Sequence, residues 1–392
     1  MKNKNIIRKI ECIVLVLLIF CIIHLVAEPC GDVNSSDGIN IVDALLIAQY
    51  YVGLDPENLD LNAADVNADS NINIVDALLI AQYYVGLITE LPGCKTTPTP
   101  EDGQLIGWAR VSDCGSNGLS GGGDTAPITT SDGSELKELM KGRDPRVIYL
   151  SGKIENIGNF SAGVKNKTLI GINNAEISGG SGLVMAENII VKNIKFSNGS
   201  NDSFGLSGST CVWLDHCEFV DGTDGNLDIV NGANFVTVSY CKFYYTQGHD
   251  HMLACLVGNS QPNESDVGKQ KITFHHNLWG AGIKSRQPRV RYGQVHVFNN
   301  YYRYTKVSGD SGSNYAIGGG FESKLLVENN YFENIGNAFT YISDEGTAQV
   351  VAKGNVGGDV PNRGSSFQPP YNYSLTSAEE AREDVLANAG VR

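Results

Sequence analysis

The residues best suited to chemistry in this chain are aspartates and arginines that recur at related distances from large aromatic side chains. Asp202 follows Phe196 by six residues, Asp224 and Asp228 follow Phe219 by five and nine, and Arg286 and Arg291 follow Trp279 by seven and twelve. Carboxylates brought together are costly unless a cation neutralises them. Calcium, a hard ion, takes oxygen ligands of this kind. Lys284, Arg286, Arg289 and Arg291 form a basic run, and guanidinium groups pair well with carboxylates. Acidic and basic clusters side by side suit a carboxylated polymer, bridged by a cation on one side and gripped by arginine on the other. Taken singly, each residue reads equally well as a surface charge in a turn. The shared offsets set them apart.

A second set of oxygen-bearing side chains lies near the N-terminus. Residues 39–54, INIVDALLIAQYYVGL, recur unchanged at 72–87, an offset of 33. A loop pattern of twelve residues leads into each copy. In the first, Asp32, Asn34, Ser36, Asn40 and Asp43 hold positions 1, 3, 5, 9 and 12; in the second, Asp65, Asn67, Asp69, Asn73 and Asp76 hold them. Hard oxygens at positions 1, 3, 5 and 12 of such a loop are what calcium coordination requires. Ala44, Leu45, Leu46, Ala48 and their copies continue each loop as a short helix. Only four residues separate the N-terminal apolar segment from Asp32, so the first loop has no entering helix and a full EF-hand is excluded.

Positioning the groove residues falls to a repeating framework. From about residue 160 short strands recur without helices, aligned on Phe196, Phe219, Phe243, Trp279, Tyr302 and Phe332 at intervals of 23, 24, 36, 23 and 30 residues. Two positions before each stand Ile194, Cys217, Cys241, Asn277, Asn300 and Asn330, a column of small apolar groups and then an amide ladder. Periods of this length indicate a solenoid. The expected fold is all-β, a right-handed parallel β-helix whose coils rise by roughly 4.8 Å, joined to a small all-α module of two loop–helix repeats. Hairpin turns at regular spacing are missing, which argues against a sandwich or propeller. In a solenoid equal offsets mean equal angular position, so the candidate residues should line one groove, walled by the insertion 244–270. SELKELMK at 134–141 reads as an N-terminal capping helix, and SAEEAREDVLANAG at 377–390 as a helix covering an open edge.

The ends of the chain bound its setting. Lys2, Lys4, Arg8 and Lys9 precede an apolar run from Cys12 to Ala27 broken by His24, the pattern of a secretory signal over 1–27; an uncleaved anchor helix is the alternative at this length. Seven cysteines follow: Cys30, Cys94, Cys114, Cys211, Cys217, Cys241 and Cys255. The odd number leaves at least one unpaired in a monomer. Cys30 and Cys94 bracket the repeat module, 28–94, and predict a clasp in a secreted protein. KTTPTPEDG at 95–103 reads as an extended linker, leaving 104–392 as the large domain. With 45 glycines, 12 prolines and 18% charged residues, the composition suits an ordered strand-rich body. The net charge of −14 argues against nucleic acid as the partner.

These patterns resemble two known families. Two loop–helix units without a leading helix are similar to a type I dockerin over about residues 31–88, which implies calcium in both loops and a cohesin domain of a scaffold protein as partner. The residues that in that family select the cohesin are here the apolar pairs Ile41-Val42 and Ile74-Val75. VWLDHCEF at 212–219, DGNLDI at 224–229, VTVSYCKF at 236–243, ITFHHNLW at 272–279 and RQPRVRYGQVHVFNNYY at 286–302 resemble the pectate lyase family, polysaccharide lyase family 1, over about 104–392. The resemblance implies calcium-dependent β-elimination of polygalacturonate by a secreted, monomeric catalytic domain. It assigns calcium to Asp202, Asp224 and Asp228, removal of the C-5 proton to Arg286, and the substrate carboxylate to Arg291. A guanidinium is ordinarily protonated, so such a base favours alkaline pH. The family's substrate-binding lysine has no counterpart in residues 246–251; His249, His251 or a lysine from another loop takes its place. His216 reads as a structural hydrogen-bonding residue. Pectin lyases, which work without calcium, fit poorly with three aspartates, and polygalacturonases with the order of acidic residues. A non-catalytic β-helix binding protein would share the fold and release no product.

Overall fold

An aromatic side chain on every coil is buried only if the next coil places another directly over it. The computed structural model, which describes residues 31–34, 39–61, 63–67, 71–85, 87–88, 91, 105–114, 118–259, 264–342 and 347–392, stacks them in this way. Phe196, Phe219, Phe243, Trp279, Tyr302 and Phe332 are consecutive register partners. Their ring centroids are 5.5, 5.0, 4.2, 5.9 and 4.5 Å apart. The column two residues earlier forms the ladder expected of it. Asn277 Nδ2 donates to Asn300 Oδ1 (2.9 Å), Asn300 Nδ2 to Asn330 Oδ1 (3.0 Å), and Asn330 Nδ2 to Asn355 Oδ1 (2.9 Å). Asn355 extends the ladder by one rung. The first amide takes over from the thiols, since Cys241 N donates to Asn277 Oδ1 at 2.9 Å.

One residue earlier again lies the corner. Asn193, His216, Tyr240, His276, Asn299 and Asn329 have φ between 48° and 58°, a left-handed conformation that Asn tolerates best among residues with a side chain. Each bends the chain from one parallel sheet into the next. Sheet A comprises 187–192, 210–215, 234–239, 271–275, 294–298, 324–328 and 349–353; sheet B comprises 195–197, 218–220, 242–244, 278–279, 301–303 and 331–333. Lys165–Ser178 is long enough to pair with both, by its first half with 187–192 and by its second with 195–197. Sheet C has eight strands: 158–159, 181–184, 202–207, 225–230, 253–257, 289–290, 317–319 and 339–341. All these pairings are parallel. One continuous apolar core runs up the middle.

The helix Gly133–Met140, N-capped by Asp132, precedes the strand Arg146–Glu155 and buries Leu136 and Met140 in the core. The C-terminal helix Ala378–Asn388 carries a capping box of Ser377 and Glu380, but its place differs from expectation. It is a strap along the A–B corner. Thr376 N donates to Asn299 Oδ1 (3.2 Å), Tyr240 OH to Asp384 (2.9 Å), Gly390 N to Tyr240 O (2.8 Å) and Arg392 N to Asn193 Oδ1 (2.6 Å). The polar side chains of the corner, Asn193, Tyr240 and Asn299 among them, give the strap its docking line. Cys114 and Cys211 form a disulfide, while Cys217, Cys241 and Cys255 are buried thiols.

The chain divides into two compact units, 1–99 and 100–392. In the first, helices Ile41–Tyr51 and Ile74–Tyr84 each begin with a capping box, Asn40 with Asp43 and Asn73 with Asp76. Ala44, Ile47, Ala77 and Ile80 join Val33, Val66 and Leu91 in its small core. The segment 1–27 expected to be a signal, the segment 95–103 expected to be a linker, Cys30, Cys94, Ser36 and Asp69 lie outside the described residues.

Candidate active site

Sheet C carries the groove because its strands break alternation at their first residues. Ser203 and Asn226 turn into the B–C corner, Ser203 Oγ donating to Val220 O (2.7 Å) and Asn226 Nδ2 to Tyr244 O (3.2 Å), while Phe204 and Leu227 enter the core. Asp202 and Gly225 are thereby left in register at the outer face, as are Gly205 and Asp228 three residues on. Gly225 is the floor between the carboxylates. A Cβ there would stand 2.9 Å from Asp202 Oδ1 and 3.9 Å from Asp228 Oδ1. Asp202 Oδ1 is buried and accepts no hydrogen bond; its Oδ2 accepts from Asn201 Nδ2 at 2.7 Å.

Electrostatics follow from that crowding. Burial, then the charge of Asp224, pushes Asp202 from 3.8 up to about 6, and Arg286 opposes the rise. Burial, then Asp202, pushes Asp228 from 3.8 up to about 7, and Arg286 again opposes it. One guanidinium thus faces both carboxylates. Arg286 is held in a left-handed conformation, φ 64°, with its carbonyl accepting from Cys255 N (2.6 Å) and the next residue, Gln287, donating to Ala316 O (2.7 Å). Ser285, just before it, bridges to Leu253, which is itself in register with Gly225. Arg291 lies farther along, its N–H donating to Val257 O (2.9 Å) and its side chain 5% exposed.

The third aspartate is turned aside. Asp224 Oδ1 lies 2.5 Å from His251 Nδ1, and among the described residues no three carboxylate, imidazole or thiol groups converge closely enough to chelate an ion as they stand. His251, expected to face substrate, is thus Asp224's partner. His249 Nε2 lies 3.7 Å from Asp221, whose carboxylate also accepts from Thr246 N (2.8 Å) and Thr246 Oγ1 (2.6 Å). The insertion 244–270 is not one wall. Residues 246–251 lie beside the carboxylates, 253–257 are a strand of sheet C, and Asp266, bonded to Gly232 N (2.7 Å) and Asn259 N (2.9 Å), anchors the remainder at the strand's far end. Asp221, Asn201 and Tyr245, whose hydroxyl donates to Leu253 O at 2.9 Å, escaped the sequence reading. The offset pattern held a signal for Asp221, two residues after Phe219.

The donors fit calcium. A buried oxygen without a partner, a second carboxylate leaning over the same bare glycine and a third in the adjoining loop form an all-oxygen set whose mutual repulsion a divalent cation would relieve. In the N-terminal unit Asn34 Oδ1 is likewise buried without a partner among the described residues. Asp43 Oδ1 and Oδ2 accept from Val33 N (3.0 Å) and Asn40 N (2.8 Å), and Asp76 repeats this with Val66 N and Asn73 N (3.1 and 2.9 Å). Asn40 and Asn73 Oδ1 cap their helices through Val42 N and Val75 N, both at 2.8 Å. His216 Nδ1 meets Asp215 Oδ2 at 2.9 Å and its ring stacks on Tyr240.

Comparison with known proteins agrees with both units. Residues 77–392 match the family model described as pectate lyase, and residues 30–84 that of the dockerin type I domain. A pectate lyase of Bacillus subtilis is 31% identical over 57% of this chain and 64% of its own length. A pectate trisaccharide-lyase of Bacillus licheniformis is 32% identical over 74% of this chain and 87% of its own. A pectate lyase of Bacillus sp. N165, solved in complex with trigalacturonate, superposes with a TM-score of 0.63 at 28% identity, covering 74% of this chain and 99% of that one. The chain belongs to the pectate lyase family and carries a type I dockerin domain ahead of its pectate lyase domain.

Proposed function

We propose that this protein is a secreted pectate lyase that cleaves α-1,4-polygalacturonate by calcium-dependent β-elimination and is anchored to a scaffold through its dockerin. The observation that carries the reading is the pair Asp202 and Asp228 over Gly225, opposed by the guanidinium of Arg286. Asp202, Asp224 and Asp228 would hold the ion, Asp224 exchanging His251 for it. When bound, calcium would neutralise the substrate carboxylate and stabilise the negative charge that develops beside it. Arg286 takes the proton from C-5. The electrons of that C–H bond form the C-4–C-5 double bond as the C-4–O-4 bond breaks, and solvent protonates the departing oxygen. Arg291 pairs with a substrate carboxylate, a contact that Lys would reproduce in charge but not in two-pronged geometry. His249 and His251 take the place of the family's lysine at the groove edge.

The dockerin reading extends to its loops. Asp32, Asn34, Ser36, Asn40 and Asp43, and Asp65, Asn67, Asp69, Asn73 and Asp76, would each hold one calcium. The exposed Ile41, Val42 and Leu45, repeated as Ile74, Val75 and Leu78, would meet the cohesin. The test of the enzymatic reading is absorbance of the unsaturated uronide released from polygalacturonate, with and without chelator. Growth of the signal that chelator abolishes and calcium restores is expected; hydrolysis products without it would overturn the reading.

A further inference from the structure

Between the acidic and basic parts of the groove lies a rung with no charge. Leu253 is in register with Gly225 on one side and Ser285 on the other, and Leu256 with Asp228 and Arg289. Neither leucine joins the apolar cluster that takes up their neighbours Met252, Ala254, Cys255 and Val257, and of the two Leu256 is buried. They stand in the two outward columns that hold Asp202 and Asp228 one or two coils away. Leu253 remains half-buried, where a groove built for a polyanion would be expected to show polar groups. Arg286 follows Ser285 directly, and its charge reaches back across this rung to both carboxylates.

A galacturonate ring has two unlike faces. Its hydrogens on C-3, C-4 and C-5 form an apolar patch on one side, next to the axial O-1 of the α-linkage, and the axial O-4 projects from the other side. Resting on the reading of this groove as a polygalacturonate lyase site, we propose that Leu253, backed by the buried Leu256, is the platform on which the reacting ring lies by its apolar patch. That patch carries the C-5 hydrogen. Seating it on the leucine rung turns this hydrogen toward the floor, where Arg286 stands, and turns O-4 outward to where solvent protonates it. The platform orients by excluding water from apolar area and adds no charge, so it leaves cation binding to the rung above.

The experiment compares wild type with Leu253→Asn, Leu253→Ala and Leu253→Met in the full chain, following unsaturated product from trigalacturonate, with calorimetric binding of the same oligomer and thermal melting. Leu253→Asn and Leu253→Ala are expected to raise KM about tenfold, while the calcium requirement, the pH profile and the melting temperature stay as in wild type. Leu253→Met, which keeps the apolar surface, is expected to stay within about twofold of wild type. Wild-type KM in both Leu253→Asn and Leu253→Ala overturns the platform. If Leu253→Asn melts early, Leu253→Ala decides by the same criterion. Wild type that binds trigalacturonate yet forms no unsaturated product overturns the lyase reading instead, and the variants' binding then still reads the platform.

Discussion

Two of the regions where the β-helix encloses aspartates treat them in opposite ways. At the end of a sheet A strand, Asp215 is 1% exposed. Its Oδ1 accepts from Ser239 Oγ at 2.6 Å, and its Oδ2 meets His216 Nδ1 at 2.9 Å and Lys192 Nζ at 3.4 Å. Lys192 lies over the Trp213 ring, whose Nε1 donates to Ser239 Oγ at 2.8 Å. Both oxygens and the charge have partners. On sheet C, Asp202 and Asp228 crowd one another over Gly225, and an oxygen of Asp202 has none. A carboxylate whose bonds are filled holds the coils together. A pair left in mutual repulsion marks where a cation and a substrate belong.

The largest effect should come from the groove. Arg286→Lys keeps the charge opposite both carboxylates, yet kcat should fall on the order of a thousandfold with little change in KM, because the loss lies in the transition state. Product absorbance reads it, and near-normal kcat would move the base elsewhere. On the other side, Asp215→Ala strands Lys192 beside His216 and should cost about 3–5 kcal/mol of stability in a denaturant titration, with turnover per folded molecule nearly unchanged. Asp228→Ala should raise the calcium needed for half-maximal activity by about a hundredfold while the coils remain intact by circular dichroism. If it unfolded the protein as Asp215→Ala does, the two kinds of aspartate would not differ.

The sequence announced these two regions unequally. Phe196 to Phe332 were readable because a stacked column must repeat at a near-constant period, and the thiol–amide column at a fixed offset came with it. The left-handed corner was present as Asn193, Asn299 and Asn329 at one offset, but His216, Tyr240 and His276 at the same position disguise it. Asp202, Asp224, Asp228 and Arg286 could be grouped by offset; that Asp224 turns to His251 depends on side-chain rotation, which spacing does not encode. Local signals found the helix Ala378–Asn388 but not its docking line, since that line consists of corner side chains up to about 200 residues away, as the bond from Arg392 to Asn193 shows. Seven cysteines permit too many pairings for Cys114–Cys211 to stand out.

A smaller effect is the pH dependence of stability without calcium. Asp202 and Asp228 bind protons more tightly in the folded protein, near 6 and 7 against 3.8, than they would in the unfolded chain. Their contribution is therefore fully present below about pH 4 and is lost as pH rises through 6 to 7. Calcium, taking the place of those protons, should flatten the decline, which thermal melts across this range with chelator or calcium would record.

The most direct measurement of the difference between the two regions is the melting temperature, at neutral pH, of Asp228→Asn and Asp215→Asn, each in chelator and in calcium. Both substitutions remove one buried negative charge and keep the shape. In chelator Asp228→Asn should melt above wild type, since it relieves repulsion on the order of 1–3 kcal/mol, and it should gain less than wild type from calcium. Asp215→Asn should melt below wild type in both solutions and gain as much from calcium as wild type does. An Asp228→Asn protein that melts below wild type in chelator, or gains fully from calcium, would contradict the assignment of the sheet C aspartates to a cation.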